Sequence, residues 1–253
     1  MNPKTLSLAL SFFAFLFVHA IGVSAQGKES IGSGVKAKEG LGRTWKGPSA
    51  SLFAGILRRK QVPKAGGGRI SRRSAPRAVS PSSIEPVTFK PAGDSGVPKA
   101  LADAFGRDPA EKLALTEAFS QIKQGYETEV AKEGKSNDLA AAMTFFIAAN
   151  ITAYHQTELP SDEAGENLYR SLRDSMTNTP EFAKISNAEK QQMHDWLICM
   201  GGFVMAGYME AKQTGDQESL TTFSELADQS MRLVLGIDGS KLNLGPNGLL
   251  PVS

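Results

Sequence analysis

The sequence predicts an all-α bundle of five to six helices after a disordered basic N-terminal arm. Three observations carry this. Helix start signals followed by apolar residues at intervals of three and four recur from Pro98 to Leu235. No strand-type alternation is sustained between Val97 and Leu235. Residues 26–93 hold eleven glycines and six prolines with few large apolar side chains, too little to offset the ~1–2 kcal/mol per residue of ordering entropy.

Three regions follow. Residues 1–25 read as a signal peptide. Lys4 gives a positive start, and Leu6 to Val18 is apolar apart from Ser7 and Ser11. Val23-Ser24-Ala25 places small residues where a signal peptidase needs them, so cleavage is expected between Ala25 and Gln26. A spanning helix wants ~20 apolar residues, and His19, Gly22 and Ser24 interrupt this run, so no transmembrane helix is expected in the mature chain. The expected location is periplasmic or secreted. Residues 26–93 form the basic arm, and residues 94–253 the helical domain with an extended C-terminal tail.

Pro98 opens a short helix that Gly106 stops. Asp108-Pro109-Ala110-Glu111 starts the next, with Leu115, Phe119, Ile122, Tyr126 and Val130 as its inner stripe and Gly134 as its end. Ser136 or Asn137 is expected to cap the third helix. Phe145 and Ile147 widen that helix's apolar surface, so it should be buried on more than one side. Ser161 caps the fourth, and Thr179-Pro180 breaks it. Ser186-Asn187-Ala188-Glu189 is a capping box opening a long helix that runs to about Thr214. Its centre, Trp196 to Met209, carries no charge, and Gly201, Gly202, Ala206 and Gly207 predict close approach of neighbouring helices. Asp216 to Leu235 forms the last helix, closed by Gly236. A Gly245-Pro246-Asn247-Gly248 turn lies in the tail, which is expected to run extended across the bundle.

The net charge of +2 hides a division. Residues 26–80 carry 13 Lys and Arg against 2 acids, and residues 81–253 carry 14 against 24. Within the arm, Phe53, Ile56 and Leu57 with Leu52 share one helical face and precede Arg58-Arg59-Lys60. They could form a surface anchor for an anionic membrane or a partner groove, or be an incidental cluster. An anionic polymer or lipid is the partner the arm suggests. Nucleic acid is not expected, because aromatic interleaving is limited to Trp45 and Phe53 and an exported protein seldom meets a genome.

There is no GxSxG, HExxH, GxxxxGK[ST] or GxGxxG pattern. One cysteine, Cys199, and three histidines leave no expected metal site, cofactor or catalytic residue. Cys199 reads as a buried inert thiol. His194 and Asp195 are neighbours about 100° apart around a helix and are not expected to share a site. Asn150 lies on an apolar face. Its amide needs partners, for which Tyr154, Tyr126 and Tyr208 are the candidates. The bland account is an interhelical hydrogen bond, and the sharper one is the floor of a small ligand pocket.

The order of these features resembles a known family. Thr88-Phe89-Lys90-Pro91 leads into the short helix, and the Asp-Pro-Ala-Glu start and the Tyr126 helix follow. Asn137-Asp138-Leu139-Ala140, Gln191-Gln192, Gly201-Gly202 and Leu235-Gly236-Ile237-Asp238 come next, before an Asn-Leu…Gly-Leu tail. From Phe89 to Leu250 the chain resembles a bacterial family of exported proteins known as domain of unknown function 6683. The resemblance implies an envelope or secreted setting and transfers no catalytic residue. The function these readings favour is non-catalytic binding or scaffolding in the cell envelope, with an unidentified protein or envelope partner. The alternatives are an enzyme with an unrecognised site and a polyanion or membrane-surface tether acting through the arm.

Overall fold

The computed structural model describes residues 41–48, 50, 53, 87–246 and 248–251. Among them lie eight α-helices. These are α1 (Leu41–Thr44), α2 (Val97–Phe105), α3 (Pro109–Ala131), α4 (Leu139–His155), α5 (Asp162–Thr177), α6 (Pro180–Ala183), α7 (Asn187–Thr214) and α8 (Gln217–Leu235). A 3-10 turn, Gly239–Lys241, and two strands, β1 (Leu242–Gly245) and β2 (Gly248–Pro251), close the chain. The fold is all-α, as the caps and stripes predict. Residues 1–25, read above as a signal peptide with its cleavage point, and most of the span read as the arm lie outside the described residues.

Most helix starts follow the predicted chemistry. Asp108, Ser161 and Asp216 each accept main-chain N–H groups of the first turn, and Ser186 with Glu189 forms the capping box. At α4 the expected caps are corrected. Asn137 takes a left-handed φ of 55°, and Asp138 is the cap, accepting from Ala140 N and Ala141 N. The carboxylate wins because its second oxygen also accepts the Tyr169 hydroxyl at 2.8 Å, a partner 31 residues away in sequence.

Helices α4 and α7 form the central pair, α8 packs against both, and α3 lies on α7 while α5 lies on α4. Every residue of α4 from Leu139 to Ala153 is buried, which explains its lack of a polar face. The glycines of α7 admit three different neighbours. A Cβ on Gly201 would lie 3.2 Å from Phe146 Cα of α4. A Cβ on Gly202 would collide with Ile122 of α3, and one on Gly207 with Phe223 of α8. Glycine is needed here for helix approach, against its ~1 kcal/mol cost inside a helix.

The tail departs from expectation. The turn at residues 245–248 forms as expected, but instead of running extended across the bundle the tail folds back on itself there, pairing Leu242 with Pro251 and Leu244 with Leu249. Gly248 takes a φ of 101°, open to glycine and strained for other residues. The hairpin rests on α4 and α5, and His155 Nε2 bonds the Leu242 carbonyl at 2.7 Å.

Candidate functional site

The first turns of α7 carry polar residues at four-residue intervals: Asn187, Gln191 and Asp195. That spacing aligns them on one helix face. They hold an extended strap, residues 87–96, that precedes α2. Asn187 Oδ1 accepts from Lys90 N at 3.3 Å. Gln191 accepts from Ala92 N and donates to Gly93 O, each at 2.6 Å. Asp195 Oδ2 accepts from the Ser95 hydroxyl at 2.6 Å. On its other side the strap meets the start of α4: Phe89 N donates to Asn137 O, and Leu139 N donates to Val87 O.

Beneath the strap lies a buried charge cluster. His194 and Asp195 are both about 1% exposed. His194 Nδ1 sits 3.1 Å from Asp195 Oδ1, so the expectation that these neighbours stay apart is corrected. Both side chains bend toward the crevice between α3 and the strap, which overcomes the rotation between their Cα positions. Lys123 Nζ of α3 reaches Asp195 Oδ2 at 2.6 Å. Glu127, one turn further along α3, lies 3.3 Å from His194 Nε2, without hydrogen-bond geometry. The imidazole is flanked edge-on by Phe89 and Tyr126.

Electrostatics divides the two carboxylates. Burial pushes Asp195 up, but hydrogen bonds from His194, Lys123 and Ser95 outweigh it and hold the group below its ordinary value. Burial raises Glu127 above its ordinary value, and the attraction of His194 only partly offsets it. Chemically, Asp195 is a hub that accepts from a hydroxyl and an ammonium while contacting an imidazole. A nucleophilic relay needs the hydroxyl to donate to the imidazole, and here Ser95 donates to the carboxylate.

The sequence-predicted polar residues are not brought together. Asn150 Nδ2 donates to Phe146 O at 2.7 Å, and its Oδ1 accepts from the Ser230 hydroxyl of α8 at 2.6 Å. The interhelical bond exists, with Ser230 rather than a tyrosine as partner. Tyr208 donates to Thr157 O at 3.0 Å. Tyr154 packs against His155 and beneath Gly239. The Tyr126 ring lies against His194, its buried hydroxyl has no hydrogen-bond partner among the described residues, and burial drives its pKa upward. Cys199 is buried, its thiol 3.6 Å from Phe119 O, and burial raises its pKa. Sequence reasoning missed Lys123, Glu127, Ser95 and the α7 stripe. The four-residue spacings of Asn187, Gln191 and Asp195, and of Lys123 and Glu127, were the available signals.

Part of the span read as arm is also packed. Leu41 is buried, and Trp45 meets Trp196 edge-on at 4.9 Å. Phe53 is 1% exposed and stacks edge-on against Phe182 at 5.6 Å. The reading of Phe53 as an external surface anchor is therefore corrected: its ring is already covered by the chain's own bundle. Ile56, Leu57, Arg58, Arg59 and Lys60 lie outside the described residues.

No cluster of His, Cys, Asp and Glu suited to a metal occurs among the described residues, and no helix among them is long and apolar enough to cross a membrane. The family model for a family of unknown function (DUF6683) matches residues 64–250. No curated protein and no solved structure matches the chain.

Proposed function

The chain belongs to that family of unknown function, and from this premise we propose that it is an exported binding and scaffolding module of the cell envelope. The observation that carries the reading is how α7 is used. Asn187 and Gln191 satisfy main-chain groups of an extended segment, a chemistry that suits holding polypeptide rather than turning over a substrate. Asp195, the most heavily bonded acid of the cluster, is spent on fastening that same segment. Export rests on the leader-like run Leu6–Val18 and on Val23-Ser24-Ala25.

Two experiments test this. N-terminal sequencing of protein from the extracytoplasmic fraction of a native host should find Gln26 first, and a chain there that still begins at Met1 overturns cleavage. Affinity capture of the mature protein from its native envelope should recover a partner in near-stoichiometric amount. Recovery of none counts against the scaffold.

A second reading, a polyanion tether, is favoured by one observation. Phe53 and Val87 are both buried, and residues 54–86 lie between them in the sequence. That stretch carries eight Lys and Arg against one acid. Binding of the full mature chain to anionic vesicles should weaken as salt shortens the screening length from ~10 Å at 0.1 M to ~3 Å at 1 M. Equal binding to neutral vesicles, or indifference to salt, sinks the tether.

A further inference from the structure

Residues 41–48, 50 and 53 form a small unit with two internal hydrogen bonds, while Arg43 and Lys46 stay exposed. The Thr44 hydroxyl donates to Leu41 O at 2.7 Å, and Trp45 Nε1 donates to Pro48 O at 3.4 Å. Trp45 and Phe53 are tilted against each other at 6.4 Å. The unit meets the bundle through buried Leu41, with α1 against α2, and through aromatic faces: Trp45 on Trp196 and Phe53 on Phe182. Trp196 rests in turn on Phe146 of α4 at 5.9 Å. The polar contact across this junction is Trp196 Nε1 donating to Thr44 Oγ1 at 2.9 Å. At the rim, Ala50 abuts Gly236, where a Cβ would come within 3.1 Å.

This unit precedes the family-matched span, which begins at residue 64. Thirty-three residues, 54–86, separate Phe53 from Val87, a length that can extend to ~110 Å. The covered surface is aromatic, with one indole N–H that needs an acceptor. Such a surface would be an exposed apolar patch if uncovered, and it has the composition of a binding hot spot.

We propose that the Trp196–Phe182 groove is a peptide-docking site whose occupant is the chain's own segment 41–53, held as a separable intramolecular ligand rather than as an element of the fold. Its ligand class is a short segment with two aromatic side chains and a hydroxyl acceptor for the Trp196 N–H. Because segment and groove belong to one chain, the segment is present at an effective concentration of ~mM, so the site is closed in the intact chain. This inference rests on the binding-module reading of the helical domain and is independent of export and of any envelope partner.

The chain's two tryptophans are the two that touch, so intrinsic fluorescence reports docking directly. In a denaturant titration of the full mature chain, the tryptophan emission shift should come at lower denaturant than the loss of helical circular dichroism. A synthetic peptide of residues 38–57, labelled with an environment-sensitive dye, should bind the full chain carrying Trp45→Ala at least ~tenfold more tightly than the unsubstituted chain, because weakening the tethered segment frees the groove. Coincident denaturant transitions, or equal peptide binding by the two proteins, overturn the proposal by making the segment an integral part of the fold. Failure to capture an envelope partner would leave these two measurements unaffected, so the two ideas fail separately.

Discussion

Two stretches of chain on the N-terminal side of the bundle lie on the same helix, and α7 holds them by different physics. The strap, residues 87–96, is held by Asn187, Gln191 and Asp195 through directional hydrogen bonds, three of them to main-chain groups of Lys90, Ala92 and Gly93. The segment at 41–53 is held one residue further along, by Trp196 and by Phe182 of α6. Hydrogen bonds set register, because a shift of one residue leaves buried donors and acceptors unpaired. Aromatic faces supply stabilisation from area with little register information. The strap lies inside the family-matched span and the segment before it, which fits one being an element of the domain and the other its ligand.

The contrast can be broken or sharpened by substitution. Trp196→Ala should have the largest effect, a loss of ~3–5 kcal/mol in chemical denaturation, because it empties a fully buried site that also seats Trp45. Limited proteolysis should then cut near residues 45–53 while the strap stays protected. Simultaneous loss of strap protection would show that the two regions are coupled.

Asp195→Ala should come next. Breaking a fully buried pair costs ~3–5 kcal/mol, and the loss here should fall toward the lower end because the Lys123 side chain is 28% exposed. The pH dependence has a definite sign. Asp195 is held below its ordinary value, so its contribution is present above that ordinary value and lost as pH falls through the folded one. Thermal melts of the alanine variant should lack this acid-side loss.

Gln191→Leu leaves Ala92 N and Gly93 O without their partner, so ~1–3 kcal/mol should be lost. Hydrogen exchange should rise at residues 90–95 and stay unchanged around Trp45. An increase at both would erase the distinction between the two regions.

The smallest effect belongs to Glu127→Gln. Glu127 is raised above 4.5 by burial. Its stabilising contribution is therefore full below that value and lost as pH rises through the folded one. The variant should flatten this decline, giving a melt less dependent on pH on the neutral side. A profile identical to that of the unsubstituted protein would show that Glu127 is solvated in both states.

The helix boundaries were legible in the sequence because their causes are local. Asp108 caps α3 through Glu111 N, three residues on, and Ser186 and Glu189 satisfy each other across the same interval. The stripe from Leu115 to Val130 is buried as its spacing requires. By contrast, Asp138 outcompeted Asn137 through Tyr169 on another helix, and Asn150 took Ser230, 80 residues away. The hub at Asp195 depends on Ser95 across 100 residues, and the Trp196 junction on Thr44 across 152. Local rules say that such side chains need partners, without naming them. The partner is chosen when packing brings α3, α4 and α7 together, since only then do burial and distance decide which donors and acceptors remain unsatisfied. So the sequence by itself determined an all-α chain, its helix starts and its inward faces. The buried charge cluster, the strap and the docked aromatic segment were decided by the tertiary structure, where desolvation makes each remote pairing matter.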